Sequence, residues 1–523
     1  MVHFPQTQIV NPMRKLLFPL FLLLLSCSAN TQSTQKSIVG YYPGWRWYDR
    51  AKLVQPATLD YSKYHVIIYA FLSLEADGSL RLTDPWADKN LLLGPINRQV
   101  APAAYDTDWD LGNPAWHLPG KRFSDYAHKN KVRFLVSVGG WAHSMHFSAV
   151  AADPAKRARF AADCQRVVRL YNLDGIDIDW EYPGFPESGG SPNDKQNLTL
   201  LLGQVRGALN GLEGQIGREL MLTAAFGASP KRMEHIDWPQ VKRLLDGINL
   251  MAYAFYGHWD PVSNHNAPLF PAMNATQAGY SCSEAVQNLL DYGVPAGKIN
   301  LGLAFYGRTH LTAGPPGLHV RSLSAPDTFN FSGSGATPQY YDIAVKINRG
   351  LFDYHWDEIA QAPYLTGKNG MPSFVSFDDE RSIALKAQFI KSRDLHGAAI
   401  WDITADYVES APGSGKIAGA PLAAALKRVF SGAQTAVSPV LAGATVCVFP
   451  NPTPNGFLQV FTNAAERART DLALYDTSGQ KIHAISYSGA THRLDMRALP
   501  AGPYLVQVKR GADKPVLVRV VKK

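Results

Sequence analysis

The sequence is poor in cysteine, and its four cysteines are widely separated. Apart from the N-terminal Cys27, there are three, Cys164, Cys282 and Cys447, so neither a disulfide framework nor a metal cluster is indicated. Charged residues make up only 18% of the chain against 46% hydrophobic residues, which excludes a disordered or coiled-coil protein. The composition predicts a globular protein with a large core and free buried thiols.

The sequence also lacks a cluster of charge of one sign. The formal net charge is +8, but lysine and arginine are scattered, and no basic block interleaves with aromatic residues. A nucleic-acid partner is therefore not expected. No residues show the spacing of metal ligands either, so the sequence predicts neither a metal nor a cofactor.

Long apolar runs are missing except near the N-terminus. Arg14 and Lys15 precede the apolar run Leu16–Leu25, and small residues follow up to Ala29. This order is typical of a secretory signal peptide, and the run is too short to span a bilayer as a mature helix. Residues 1–29 are predicted to be a leader and signal peptide of a secreted or cell-surface protein, with Cys27 as a candidate lipidation site.

Beyond the signal, short apolar runs rich in β-branched residues alternate with helical patterns. This alternation predicts parallel strands joined by helices, and eight strands are the number needed for a closed (β/α)8 TIM barrel in the α/β class. The predicted strands are Ile38–Tyr42, His65–Leu72, Val132–Val138, Gly175–Trp180, Leu220–Phe226, Gly247–Tyr253, Ile299–Phe305 and Gly397–Trp401.

Two regions depart from this alternation. Turn residues and short apolar runs replace the helix expected after the seventh strand, which predicts a small α+β insertion at about 309–375 within a catalytic barrel of 37–432. A linker at 433–443 then precedes residues 444–523, where apolar and polar residues alternate between turns. That period predicts a C-terminal β-sandwich domain.

The end of the fourth predicted strand carries three acidic residues at alternate positions. Asp177, Asp179 and Glu181 share one face because successive side chains of a strand point to opposite sides. Repulsion between carboxylates in a shielded pocket raises the pKa of at least one of them. Glu181, the outermost, is therefore the candidate proton donor, and Asp177 and Asp179 are expected to share a proton behind it.

The chain from Ile38 to Tyr407 resembles glycoside hydrolase family 18, and within it the bacterial chitinases. Residues Asp174–Glu181 read DGIDIDWE, which matches the family signature at each position. Supporting motifs at other strand ends are SVGGW at Ser137–Trp141, MAY at Met251–Tyr253, FYGR at Phe305–Arg308 and IWD at Ile400–Asp402.

The resemblance implies hydrolysis of β-1,4 links between N-acetylglucosamine units by a retaining mechanism in which the sugar's own acetamide assists. Glu181 would be the general acid and base, Asp179 would orient the acetamide, Asp177 would support Asp179, and Tyr253 would bind the acetamide carbonyl. The substrate-binding residues that the resemblance implies are Tyr42, Phe71, Trp141, Met251, Arg308 and Trp401.

One position departs from the family pattern. Members of the family often have Asp directly after the tyrosine of the sixth-strand motif, and Ala254 stands there in this chain. A polar contact to the sugar at the cleavage point is thereby in doubt. Two alternatives to a chitinase also remain open, an endo-β-N-acetylglucosaminidase acting on glycoprotein glycans and a non-catalytic chitin-binding lectin.

The C-terminal region resembles the sorting domain of the type IX secretion system. The motifs are FPNPTPNG at Phe449–Gly456, LYDTSGQKI at Leu474–Ile482 and LPAGPYLVQV at Leu499–Val508. This resemblance implies export through that machinery. The expected partners are thus chitin or chitooligosaccharides and the secretion machinery, with the enzyme itself a monomer.

Overall fold

A computed structural model gives the positions of most of the chain. It describes residues 35–272, 277–332, 337–432, 446–449, 453, 456–462, 469–476, 478–488, 491–511 and 515–522. The predicted signal peptide, Cys27 and the predicted linker at 433–443 lie outside the described residues. Within the described ranges, no helix has the length and apolar character needed to cross a membrane.

Eight parallel strands form a closed barrel, as the sequence predicts. The first strand pairs in parallel with both the second and the eighth, which closes the sheet, and each remaining strand pairs with its neighbours in chain order. The barrel strands are β1 Ser37–Pro43, β2 Val66–Leu74, β3 Arg133–Gly139, β4 Gly175–Asp179, β5 Met221–Gly227, β6 Gly247–Met251, β7 Ile299–Ala304 and β8 Gly397–Trp401.

Helices connect the strands and cover the outside of the barrel. The helix before β4 begins where the sequence predicts, because the Asp153 side chain accepts hydrogen bonds from the backbone N–H groups of Ala155 and Lys156, and Pro154 occupies the first turn. The α-helices are Ala87–Leu92, Phe123–Lys129, Phe147–Ala152, Pro154–Tyr171, Asp194–Ile216, Pro230–Met233, Trp238–Leu244, Cys282–Asp291, Tyr340–Asn348, Glu380–Ser392 and Pro421–Phe430.

The stretch between β7 and β8 contains a sheet of its own. Four antiparallel strands pair in the order Phe352–Asp357, Ala362–Gly367, Ser373–Ser376 and Arg308–Leu311, and the helix Tyr340–Asn348 precedes three of them in the chain. This is an α+β insertion after the seventh barrel strand, as the sequence predicts.

The C-terminal region contains two antiparallel sheets. One has the strands Val446–Phe449, Phe457–Thr462 and Thr491–Asp495, and the other has Arg469–Tyr475, Lys481–Ser488, Gly502–Arg510 and Val516–Lys522. Apolar side chains from both sheets form one buried cluster, which is the packing of a β-sandwich. The sequence missed the strands Val446–Phe449 and Thr491–Asp495, which are only four and five residues long.

A fully buried ion pair anchors the last long helix before β8. Lys386 Nζ lies 2.5 Å from Asp378 Oδ2, and both side chains are inaccessible to solvent. The hydroxyl of Ser382 donates to the other oxygen of Asp378. Burying two charges is favourable only while both are present, because a lone buried charge has lost its hydration without compensation.

We predict that Lys386→Met destabilises the fold by about 3 kcal/mol, because it leaves the Asp378 carboxylate buried without its cation. Thermal and urea unfolding of the purified protein measure the change. The matched control is Lys368→Met, which removes the largely exposed pair between Lys368 and Asp353 and should leave the unfolding curve close to wild type. Equal unfolding curves for the two variants would contradict the prediction.

Candidate active site

The three acidic residues stand at the end of β4, and the first two project into the barrel. Ile176 and Ile178, which alternate with them, pack in the core between the strands and the surrounding helices. Asp177 and Asp179 are buried on the opposite, inner side, and Glu181 follows two residues after the strand ends. The local sequence therefore places the row at the carboxyl-terminal mouth, where active sites of this fold lie.

Asp177 is held by side chains from four other strands. Its carboxylate accepts hydrogen bonds from Tyr41 Oη at 3.0 Å, Ser137 Oγ at 2.7 Å, Thr223 Oγ1 at 2.5 Å and Asn249 Nδ2 at 3.2 Å. Burial raises the pKa of Asp177, but these hydrogen bonds act in the opposite direction because they favour the charged form. The balance still leaves the pKa of Asp177 above its ordinary value, so the proton that Asp177 and Asp179 are expected to share stays a prediction.

Asp179 has the opposite environment. Its Oδ1 atom is buried and has no hydrogen-bond partner in the described part of the chain. Burial raises the pKa of Asp179 well above its ordinary value, and the neighbouring Glu181 and Asp177 raise it further. The environment of Asp179 therefore favours its protonated form, and Asp179 lies between Asp177 and the candidate acid in the row.

Glu181 is only partly buried and faces the mouth. Burial raises its pKa, whereas the Tyr182 side chain and the Arg232 guanidinium act in the opposite direction. Its backbone N–H donates to Ser144 Oγ at 2.9 Å, and that hydroxyl in turn donates to the backbone oxygens of Gly140 and Asp179. The acid is thereby fixed against the end of β3.

An aromatic floor lies beside the acidic row. Trp401, at the end of β8, stacks on Phe71 with a centroid separation of 5.7 Å and contacts Tyr41 at the same distance. Phe71 reaches the interior because it is an extra residue in β2: Ala70 pairs with Ser137 and Leu72 with Val138, so Phe71 is a bulge. A flat apolar surface of this kind suits the apolar face of a sugar ring.

Tyr253 and Arg308 form the opposite side of the site. Tyr253 contacts Tyr306 edge to face at 6.0 Å, and a Cβ at Gly302 would lie 2.9 Å from its ring, so the glycine leaves the space that Tyr253 needs. The guanidinium of Arg308 lies 4.9 Å from the Trp259 ring and 5.4 Å from the Tyr306 ring. Arg308 is therefore held between two aromatic side chains.

The remaining predicted substrate residues occupy different places. Trp141, just after β3, is 72% exposed and contacts the ring of Tyr182 edge to face at 6.4 Å. Met251 ends β6 two positions beyond Asn249, so it lies on the same inner side of the strand and is half-buried.

Tyr42 is a wrong prediction. Its ring is fully buried against Tyr69 and Phe123 on the outside of the barrel, and its hydroxyl donates to the backbone oxygen of Val54. The neighbouring Tyr41 faces the interior instead and contacts Trp401 and Asp177. The prediction assigned the inward-facing position of β1 to Tyr42 instead of Tyr41. A shift of one residue moves every side chain of a strand to the other face.

Ala254 adopts a left-handed backbone conformation. Its φ is 53°, and its N–H donates to the Oδ1 atom of the buried Asn266 at 3.1 Å. Asn266 also bonds the backbone oxygen of Tyr306. The loop is therefore held through its backbone, independently of any side chain at position 254.

Sequence reasoning missed several residues of the site. The donors Ser137, Thr223 and Asn249 come from three different strands, and only the closed barrel brings them to Asp177. Trp45 is 44% exposed and stacks on Phe71 at 6.0 Å, so it extends the floor outward. Its place in a loop rich in aromatic residues was the available signal.

The fold and site together define a (β/α)8-barrel glycosidase with its acids at the barrel mouth. The family model "Glycosyl hydrolases family 18" matches residues 37–406, and the chain belongs to that family. A second model, "Secretion system C-terminal sorting domain", matches residues 447–523.

Similar proteins are found among both curated sequences and solved structures. Chitinase A1 from Niallia circulans is 33% identical over 396 residues, which cover 71% of this chain and 56% of that protein. The chain thus spans little more than half the length of this relative. Chitinase ChiA74 from Bacillus thuringiensis superposes with a TM-score of 0.63 at 26% identity, covering 94% of this chain and 85% of the other. The Ostrinia furnacalis Group IV chitinase in complex with allosamidin gives a TM-score of 0.64 at 26% identity, covering 76% and 100%.

We predict that Asp179→Asn becomes progressively more stable than wild type as the pH rises from about 4 towards neutrality, by up to about 1.4 kcal/mol per pH unit. The folded pKa of Asp179 lies above its unfolded pKa, so the unfolded wild-type chain loses this proton first and the folded state loses stability with rising pH. The asparagine has no proton to lose. Thermal unfolding over a pH series measures the difference.

The control is Asp174→Asn, for which the sign is reversed and the pH range is lower. Burial raises the pKa of Asp174, but hydrogen bonds from His128 and the Phe134 N–H outweigh it and hold the pKa below the ordinary value. This variant should lose stability relative to wild type as the pH rises to about 4, and its difference from wild type should then stay constant from about pH 5 to neutrality. A stability difference for Asp179→Asn that does not change with pH would refute a protonated Asp179.

Proposed function

We propose that this chain is a chitinase that hydrolyses β-1,4 links between N-acetylglucosamine units with retention of configuration. The observation that carries the proposal is the row of Asp177, Asp179 and Glu181 beside the Trp401 floor. It combines an inner carboxyl group held by four hydrogen bonds with Asp179, whose pKa is raised well above its ordinary value, and with an acid at the mouth whose pKa is raised by burial.

Glu181 acts as general acid and then as general base. A glycosidic oxygen of a sugar chain lying across the mouth comes within reach of its carboxyl group, which gives up its proton as the bond to the leaving sugar breaks. The acetamide oxygen of the sugar on the floor attacks the anomeric carbon and forms an oxazolinium ion. Water activated by the Glu181 carboxylate then opens this ion and restores the proton.

Asp179 and Tyr253 position the acetamide during this reaction. The protonated, unpartnered Asp179 has hydrogen-bonding capacity that a substrate group can satisfy, and the developing positive charge on the acetamide favours its ionised form. Tyr253 donates to the carbonyl from the opposite side. Asp177 supports Asp179 from behind, where its carboxylate can take up the proton that Asp179 releases as it ionises, so that the two acids share one proton.

The side chains around the row hold the sugar ring. Trp401 lies under it, Phe71 stacks behind Trp401, and Met251 lines the inner end of β6. Arg308 and Trp141 lie on opposite sides of the mouth and contact the units on either side of the cleavage point.

The relatives support chitin as the substrate class, because the proteins that this chain resembles over most of its barrel bear the name chitinase. The site is consistent with this substrate, since a mechanism that uses the acetamide requires an N-acetylated sugar on the floor. The C-terminal module supports passage through the type IX machinery to the cell surface or the medium. We further propose that the catalytic barrel acts as a monomer, with residues 1–29 and 444–523 serving export.

We predict that Glu181→Gln lowers the turnover of chitin hexamer by at least roughly a thousandfold, because the glutamine amide is not acidic enough to protonate the glycosidic oxygen. Binding of the hexamer should persist, since the floor is intact. Turnover is measured by chromatography of products and binding by calorimetry. Near-normal turnover of this variant would exclude Glu181 as the proton donor.

A direct comparison of substrates separates the proposal from its alternatives. The wild-type enzyme should cleave chitin hexamer and leave a high-mannose glycopeptide intact, with the first-formed product in the β-anomeric configuration by NMR. Cleavage of the glycopeptide alone would identify an endo-β-N-acetylglucosaminidase, and binding of the hexamer without cleavage would identify a lectin.

A further inference from the structure

Arg232 lies beside the proton donor in an unusual arrangement. Its guanidinium carbon is 3.9 Å from the ring centroid of Tyr182, the residue that follows Glu181. Gly227 at the end of β5 leaves the necessary space, because a Cβ there would lie 2.4 Å from Arg232 Cδ and 3.0 Å from Tyr182 Cε1. The stack is therefore confined between the strand end and the segment that carries the acid.

Arg232 forms no salt bridge within the described ranges, although its charge lowers the pKa of the nearby Glu181. None of the salt bridges there includes Arg232 or its neighbour Lys231, whose ammonium group lies 5.5 Å from the ring of Phe185. Both cations are thus placed over aromatic rings instead of carboxylates. The guanidinium of Arg232 thus places a positive charge near Glu181.

Arg232 lies on the same side of the barrel mouth as Glu181. The floor is built by residues of β1, β2 and β8, and Tyr253 follows β6, whereas Trp141, Tyr182 and Arg232 follow β3, β4 and β5. Glu181 follows β4 and therefore belongs to the second of these halves. A sugar on the floor, with its glycosidic oxygen at Glu181, therefore places the leaving unit over the half that carries Arg232.

Resting on the proposed function, we propose that Arg232 is a specificity-determining residue that makes the leaving-group side select N-acetylated units and reject deacetylated ones. At mildly acidic pH the free amine of a glucosamine unit is an ammonium ion, which the fixed guanidinium repels. The acetamide of an N-acetylglucosamine unit is neutral, and its carbonyl oxygen can accept a hydrogen bond from the same guanidinium. The sugar on the floor needs no selecting residue, because the reaction itself requires an acetamide on that sugar.

The test uses partially deacetylated chitosan at mildly acidic pH, with identification of the sugar at each newly formed non-reducing end. Wild type should produce mainly N-acetylglucosamine at these ends. Arg232→Gln should raise the proportion of glucosamine there roughly fivefold, because a partly screened repulsion is removed. Arg232→Lys keeps the charge and should resemble wild type.

Two controls isolate the charge of Arg232. Lys231→Gln removes the adjacent cation over Phe185 and should change the new ends much less than Arg232→Gln. Under alkaline conditions the amine is neutral, so the difference between wild type and Arg232→Gln should vanish. Arg232→Met repeats the test with an apolar stem that can still pack on Tyr182, and thermal unfolding verifies the fold of each variant.

The fully acetylated hexamer separates failure of this inference from failure of the proposed function. If wild type and every Arg232 variant leave the hexamer intact, the chitinase proposal itself is wrong. If the hexamer is cleaved and the neutral variants give the same new ends as wild type, Arg232 does not determine specificity. An equal response of Lys231→Gln and Arg232→Gln would also overturn the assignment to Arg232.

Discussion

The buried carboxylate of Asp177 ties together five strands of the barrel. Tyr41, Ser137, Thr223 and Asn249 reach it from β1, β3, β5 and β6, while Asp177 itself belongs to β4. Removing a carboxylate from water is costly unless donors surround it, and each charge-assisted hydrogen bond contributes about 1.5–3 kcal/mol. The polar centre therefore constrains how these strand ends meet, and it fixes the base of the acidic row.

These hydrogen bonds also make the pKa values of Asp177 and Asp179 differ. The donors around Asp177 partly offset the rise in its pKa that burial causes, whereas Asp179 has a buried oxygen without a partner in the described part of the chain and its pKa is raised well above the ordinary value. Two acids of the same type, two residues apart on one strand, thus differ in how strongly they hold a proton. The difference arises from their hydrogen bonds and not from their depth, since both are buried.

The sequence predicted the strands well because parallel strands are buried on both faces and stand out as short apolar runs. It also predicted the acidic row, since alternation within one strand is a local property. It failed at Tyr42, where two adjacent tyrosines in β1 left the phase of the strand undetermined. It could not show why Phe71 faces inward, because the bulge at that residue exists only relative to β3.

The electrostatic environment of Glu181 could not be predicted from a local sequence pattern either. A group that donates and later recovers a proton works best with a pKa near the operating pH, so it needs opposing influences in balance. Burial raises the pKa of Glu181, while Arg232, about fifty residues further along the chain, lowers it across the ring of Tyr182. Since Gly227 must lack a side chain for this approach, one cation, one ring and one glycine act together. Glu181 is positioned by β4, whereas its pKa is adjusted by Arg232, which follows β5. In the proposed specificity, the same guanidinium faces the leaving sugar.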